Sequence, residues 1–342
     1  MKRKIKVGVI GAGRIGKIHT ENIIRYVTQA EVAAVADIYV DRIKDWANDF
    51  GIKKLTTDYM EILNDDEIEV VIICSSTNTH SKIIIEAANL GKQIFCEKPI
   101  DLDLGKIRQT IKSIDKSGVK FQIGFNRRFD HNFKKIKELI KNGSAGNIYL
   151  VKITSWDPDV PPIEYVKVSG GLFLDMAIHD FDMARFLTDS EAKEVYAVGD
   201  VFINPAVKDA GDIDTAIVTL RLENGAMVVI DNCRKAPHGY DQRVEVLGSK
   251  GFVFTSNDTE TTAALGTESG IHSEKPFYFF TQRYKDSYIN EIITFFDAVI
   301  NNKNTPVGAV DGLKPVIIGM AAIKSLRENR PVKIEEVENA DL

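Results

Sequence analysis

The chain has 342 residues, 44% hydrophobic and 27% charged, with a formal net charge of -5, which is the balance of a globular chain long enough for one large or two ordinary domains. So small a charge gives no electrostatic reason to expect a nucleic acid or an anionic membrane as partner, and no run approaches the ~18 apolar residues of a membrane span. Cys74, Cys96 and Cys233 have neither a disulfide framework's pattern nor the spacing of a zinc site, so small molecules become the expected ligands.

Lys2, Arg3 and Lys4 open the chain, but Gly8, Gly11, Gly13 and Arg14 break the apolar stretch that follows. It is too short for the apolar region of a signal peptide, and a cytoplasmic protein is expected. Short β-branched runs then alternate with helical patterns. Strands are expected at Lys4–Ile10, Glu31–Asp37, Glu69–Cys74, Gln93–Cys96 and Lys120–Ile123, and helices near Ile15–Val27, Asp41–Phe50, Thr79–Leu90 and Leu104–Ser117. Strands apolar on both faces and separated by helices imply a parallel sheet covered on both sides.

Within this half, "VGVIGAGRIG" places Gly11, Gly13 and Gly16 in G-x-G-x-x-G spacing, directly after a strand and opening a helix. The pattern alone is weak. Here a second strand follows and leads to Asp37, and that conjunction is the fingerprint of a Rossmann dinucleotide-binding domain. Gly11 allows the tight turn, Gly13 lets the backbone approach a pyrophosphate, and Gly16 lets helix and strand pack closely. Arg14 and Ile15 begin the helix whose N-terminus receives the phosphates, and Ile38 follows Asp37. The carboxylate of Asp37 accepts from a ribose 2'-hydroxyl and repels a 2'-phosphate, so NAD is expected over NADP, with Arg42 a turn later softening the preference.

Two further strand ends should reach the same crevice. "CSSTNTH" offers Ser75, Thr77 and Asn78 for phosphate and ribose contacts or for helix capping, and His80 in the first turn of the next helix. "FCEKPI" offers Glu97 and Lys98, held by Pro99, with Lys98 expected at the nicotinamide end. A cation there stabilises a developing alkoxide. A solvated lysine at a strand end is the plainer alternative.

After about Phe125 the rhythm changes. "NIYLVKITSW", "KEVYAVGDVFI", "DTAIVTLRLENGAMVVIDNCR" and "RVEVLGSKGFVFTS" read as an open, mainly antiparallel sheet, with a hairpin turn at Glu223-Asn224-Gly225. The expected division is a Rossmann domain at 1–125 and an α+β substrate-binding and oligomerisation domain at 126–342, whose C-terminal helix is free to pack back on the first. Thr259–Lys275 reads as a surface loop, and helices at Ser287–Ile300 and Asp311–Arg327 close the chain.

The main helical insertion is "GGLFLDMAIHDFDMARFL", Gly170–Leu187, where ionisable groups sit among apolar ones. At about 100° per residue, Asp175, His179 and Asp182 fall within an arc of roughly 60°, and Asp180 lies outside it. Asp175 and His179 are i, i+4 neighbours. A carboxylate that fixes one imidazole nitrogen leaves the other to accept a proton, which makes a general base. The plainer alternative is a solvent-facing edge with Asp182 paired to Arg185. No cluster of histidines or cysteines lies at ligand spacing, so no metal is expected.

"GAGRIG", "CSSTNTH", "EKP" and "GGLFLDMAIHDFDM" together resemble the Gfo/Idh/MocA oxidoreductases over essentially the whole chain. "GFNRRFD" and "DMAIHDFDMAR" resemble its inositol-oxidising members more narrowly. The resemblance implies Lys98, Asp175 and His179 as the catalytic group, with Lys98 touching substrate and cofactor. It implies polyol contacts from Arg128 and Asp157, and extends them to Tyr240 and Tyr284. It also implies homotetramers whose open sheets pack together, and oxidation of myo-inositol to its 2-ketone with NAD. Trp156 departs from the polar or basic residue expected beside Asp157. Another cyclic polyol, such as scyllo-inositol or a pyranose, is the nearest competing substrate, and a non-catalytic NAD-binding sensor is the competing class.

Overall fold

Six strands with almost wholly apolar interiors form the first sheet in the computed structural model, which describes residues 3–339. They are β1 (Ile5–Ile10), β2 (Ala30–Ala36), β3 (Lys54–Thr56), β4 (Ile68–Ile73), β5 (Gln93–Glu97) and β6 (Phe121–Gly124), in spatial order β3-β2-β1-β4-β5-β6 and parallel throughout. Helices α1 (Arg14–Tyr26), α2 (Lys44–Asp49), α3 (Met60–Leu63), α4 (Thr77–Asn89) and α5 (Leu104–Ser117) connect them. The chain leaves β1 toward β2 on one side and returns to β4 on the other, so the strand order reverses beside β1, which is where open sheets of this kind bind ligands. Local chemistry sets the ends of α5: Asp103 accepts from the Lys106 N–H at the start, and Gly118 stops the helix in the left-handed region.

This first unit runs to Phe129 and takes in Asp286–Lys314. The later helix Lys285–Ile300 belongs here by its packing, because Ile292, Phe295 and Phe296 join Val7, Val9, Val70, Ile72 and Phe95 in one buried cluster. Each fully buried phenylalanine contributes roughly 1.5–3 kcal/mol relative to exposure. Strand β3 and helix α3 were not expected from the sequence; three or four residues are too few to show a period. Lys2, in the basic opening, lies outside the described residues.

The second unit comprises Asp130–Lys285 and the chain from Pro315 onward. Its helices α6 (His131–Lys141), α7 (Ile163–Ser169) and α8 (Ile178–Thr188) accompany strands β7 (Ile148–Trp156), β8 (Ala192–Asp200), β9 (Thr215–Leu222), β10 (Met227–Cys233), β11 (Asp241–Gly248) and β12 (Phe252–Phe254). Strands β13 (Ala264–Thr267) and β14 (Gly270–Ser273) pair separately, and β15 (Val332–Lys333) completes the large sheet, ordered β12-β11-β7-β10-β9-β8-β15. Its pairs are antiparallel except β7 with β10. Burial alternates along β9, with Ala216, Val218, Leu220 and Leu222 inward, which is the signature of a sheet with one open face.

Three expectations need correction here. Helix α6 was not foreseen, although Asp130 caps it through the Asn132 and Phe133 N–H groups. The stretch read as a loop, Thr259–Lys275, holds the exposed β13–β14 ribbon, because Thr, Gly and Ser suit a short hairpin as well as a loop. The single helix Gly170–Leu187 is broken. Gly170 and Gly171 take φ of 89° and 75° and end α7, and a π turn over Leu172–Met176 then leads into α8. No helix among the described residues is long and apolar enough to cross a membrane.

Candidate active site

In the first unit the glycine loop is held by contacts that admit no side chain at two of its three glycines. A Cβ at Gly11, whose φ is 91°, would stand 2.6 Å from the Cys74 and Ser75 backbone, and one at Gly16 would stand 2.0 Å from the Gly11 carbonyl oxygen. At Gly13 a Cβ would meet nothing within 4 Å, so space is left where a ligand can approach the backbone. Helix α1 starts there without a side-chain cap and with no acid in its first turn, which leaves its N–H groups and positive dipole end for an anion.

Asp37 closes the cradle. Its Oδ2 accepts from the Ala12 N–H at 2.8 Å and its Oδ1 from the Tyr39 N–H at 2.8 Å, while the residue stays half-buried, with acceptor capacity to spare. A cavity of about 350 Å³ is lined by Ala12, Gly13, Arg14, Lys17, Asp37, Tyr39, Arg42 and Ile43. Arg42 lies over the Tyr39 ring at 4.7 Å. Ile15 is half-buried and Ile38 exposed. These residues fit a dinucleotide: an uncapped helix start, a loop open at Gly13 and an acid at the ribose position. Asp37→Ser is accordingly expected to narrow the preference for NAD over NADP by about tenfold, measured as the ratio of the two kcat/KM values; an unchanged ratio would remove Asp37 from that role.

Beyond β4, Ser75 Oγ and Thr79 Oγ1 share a hydrogen bond of 2.7 Å, and Thr77 and Asn78 stand in the first turn of α4. His80 is expected from sequence among the cofactor-binding residues. It is 2% exposed, with Nδ1 2.8 Å from the Pro99 carbonyl and Nε2 2.9 Å from the Ser75 carbonyl. Burial lowers its pKa, and its work is to tie two loops together. The Lys98–Pro99 peptide is cis, and Lys98 is half-buried. Glu97, also expected at the cofactor, turns its carboxylate to His19, 2.7 Å away. Arg128 donates to Asp311 Oδ1 at 2.9 Å.

The second unit carries the other candidates. Through Leu172–Arg185 every residue is buried except Asp175 and His179, which are half-buried. The π turn shifts the helical phase on which a three-residue stripe was read, since the Ala177 N–H donates to the Leu172 carbonyl five residues back. Asp182, the third residue of that stripe and a candidate substrate contact, is 1% exposed and stands 3.7 Å from Arg185. Asp180, 0% exposed, accepts from Asn232 at 2.8 Å.

Asp175 has partners that nothing in the sequence pattern signalled. Tyr165 donates its hydroxyl to Oδ1 at 2.8 Å, and the buried Arg234 stands 3.5 Å from Oδ2 and 3.9 Å from Asp212. Burial, and then the nearby Asp175 charge, raises the Tyr165 pKa, so its proton stays on the bond to Asp175. Burial also raises Asp212, against the N–H groups of Leu172 and Ile213. A carboxylate oxygen accepts more than one bond, so Asp175 retains capacity for an imidazole. Asp157 is half-buried and adds to the negative field at Tyr165. Tyr240 and Tyr284, both buried, form an edge-to-face pair at 5.9 Å. Trp156 donates its ring N–H to Asp231. Within this unit a half-buried imidazole is a group able to take a proton from a hydroxyl.

Residues 5–125 match the oxidoreductase family with NAD-binding Rossmann fold, and residues 133–254 match the GFO/IDH/MocA C-terminal domain. The chain is 49% identical over 338 residues to an uncharacterized oxidoreductase of Bacillus subtilis, covering 99% of both. It is 46% identical over 333 residues to myo-inositol 2-dehydrogenase of Thermotoga maritima, covering 97% of this chain and 99% of that one. Among solved structures, scyllo-inositol dehydrogenase from Lactobacillus casei with bound NAD(H) and scyllo-inositol superposes with a TM-score of 0.91 at 31% identity, over 97% and 99% of the two chains.

Proposed function

Since the chain belongs to the Gfo/Idh/MocA oxidoreductase family, we propose that it oxidises myo-inositol at its axial secondary hydroxyl to 2-keto-myo-inositol, with NAD as oxidant. The observation that carries the reading is the exposure of Asp175 and His179, alone in an otherwise buried run, with Tyr165 and Arg234 holding the carboxylate. When bound, NAD supplies the acceptor for the hydride of the carbinol carbon. Gly11, Gly13, Arg14, Ile15 and Gly16 with the start of α1 would hold its pyrophosphate, Asp37 and Ile38 its ribose, and Ser75, Thr77 and Asn78 the loop beyond β4.

The chain's own residues do the proton chemistry. His179 takes the hydroxyl proton, and Asp175 fixes the imidazole tautomer and stabilises the imidazolium that forms. Lys98 donates to the substrate oxygen and stabilises negative charge developing there. Arg128 and Asp157 are the proposed contacts to the remaining hydroxyls, with the buried Tyr240 and Tyr284 as further candidates. Initial rates of NADH formation with myo-inositol, scyllo-inositol and glucose test the assignment. The highest kcat/KM is expected with myo-inositol. A preference for scyllo-inositol moves the assignment to that isomer, and no turnover of any cyclic polyol overturns it.

The open face of the large sheet supports a homo-oligomer, with a tetramer as the proposed state. Met227, Leu150, Leu247 and Phe252 stand in cross-strand register on that face, and Phe252 stacks on Phe254 at 5.2 Å. An apolar row of that length left in water is an association surface. Light scattering should give a multiple of the 38.1 kDa chain. The double variant Leu247→Glu with Phe252→Glu should give the monomer, whereas an unchanged mass would place the interface elsewhere.

A further inference from the structure

The first unit encloses a second group of ionisable side chains. Glu291 lies on the buried face of the helix Lys285–Ile300 and is 0% exposed. Neither of its carboxylate oxygens has a hydrogen-bond partner among the described residues. One ligand atom each from Glu291, His19 and Glu97 lies within 4.8 Å of the other two. His19, 0% exposed on α1, bonds Glu97 Oε1 through Nε2 at 2.7 Å, and Phe95 and Tyr288 enclose its ring at 4.9 and 5.7 Å. Glu97 lies over Gly124, where a Cβ would stand 3.0 Å from the carboxyl carbon. The Glu291 carbonyl accepts from the Gln122 amide at 3.2 Å, which fixes the helix to the strand beside β5. Glu97 is thus confined from three elements, and Lys98 follows it directly.

A leucine at position 291 would bury at no electrostatic cost, whereas an acid there carries one. Two carboxylates this close in a buried site do not both ionise without a compensating charge. Burial first, and then the Glu97 charge, pushes the Glu291 carboxyl well above its usual range. The other titratable groups around it are His19 from α1 and Cys74 beyond β4, with Cys96 beside Glu97 on β5 and Tyr288 against the His19 ring; burial pushes both thiols up, so they bring no charge.

We propose that Glu291 is a positioning residue for Lys98: its carboxyl, enclosed with the His19–Glu97 pair, backs the Glu97 side chain and fixes the turn that aims Lys98. A divalent cation is the competing occupant of the three groups. The 2.7 Å bond between His19 and Glu97 opposes it, because two ligands of one zinc or magnesium ion stand about 3 Å or more apart.

Glu291→Gln keeps a neutral polar group of the same size, whereas Glu291→Leu keeps only bulk. The Gln variant should stay within about threefold of the parent kcat, and the Leu variant should lose about tenfold or more with KM for NAD changed by less than about threefold. The infrared spectrum should show a buried protonated-carboxyl band in the parent that Glu291→Gln removes. A fully active Leu variant, a Gln variant as impaired as the Leu variant, a missing band, or a divalent cation retained in stoichiometric amount through gel filtration would each overturn the proposal. If the Leu variant does not fold, the Gln variant and the band decide. The kcat arm rests on the proposed dehydrogenase reaction and the infrared arm does not, so failure of the parent to oxidise myo-inositol sinks that reading separately.

Discussion

His179→Ala should lower kcat by ~10² or more while the Kd for NAD changes by no more than a few-fold. The reason is local. His179 and Asp175 are the two half-buried side chains in a run that is otherwise buried from Leu172 to Arg185. On the proposed roles, removing the imidazole leaves water to take the hydroxyl proton, while the glycine loop and Asp37, which belong to the other unit, should still bind the dinucleotide. The same variant separates the two functional classes. A dehydrogenase loses turnover, whereas a sensor that only binds NAD and a partner behaves as before. Steady-state rates with fluorescence titration of NADH read both quantities, and a kcat within a few-fold of the parent would take the base role from His179.

Lys98→Met should cost ~10²–10³ in kcat/KM. Methionine keeps the length of the side chain and removes the ammonium that is proposed to stabilise the developing alkoxide. Arginine should not rescue it, because a planar guanidinium presents its donors differently from a compact ammonium. Full activity in Lys98→Met would mean that Lys98 is the ordinary solvated lysine of a strand end. Glu291→Leu bears on the same residue from behind: it should alter where Lys98 points without removing its charge, and its effect should therefore be smaller than that of Lys98→Met.

The parallel sheet was legible because β1, β2, β4, β5 and β6 are apolar on both faces and separated by helix-length segments, a pattern with few alternatives. The glycine fingerprint was legible for a similar reason: its spacing, the strand before it and Asp37 after it all had to coincide, and each glycine proves to have the space or the close contact the motif requires. Helix α6 was missed because strand-like runs dominate the sequence around it. The π turn was missed because a helical period assumes one phase, and Gly170-Gly171 resets that phase just before Asp175. That reset matters to the site, since it accompanies the burial of Asp182 and leaves Asp175 and His179 as the half-buried pair.

Partners distant in sequence were beyond reach of any local pattern. Tyr165 reaches Asp175 across 10 residues and Arg234 across 59. Glu291 shares a buried site with His19 and Glu97, brought from two other elements of the first unit. Each of these is a polar residue whose position in its own helix or strand looks ordinary. Only the tertiary contact shows what it holds.

The central claim is that a hydride leaves the carbon bearing the axial hydroxyl of myo-inositol. Turnover of myo-inositol deuterated at that carbon, followed by mass spectrometry of the reduced cofactor, tests it most directly. The account predicts that the NADH formed carries the deuterium, with a slowed chemical step in single turnover. Reduced cofactor without deuterium, while myo-inositol is consumed, would contradict it.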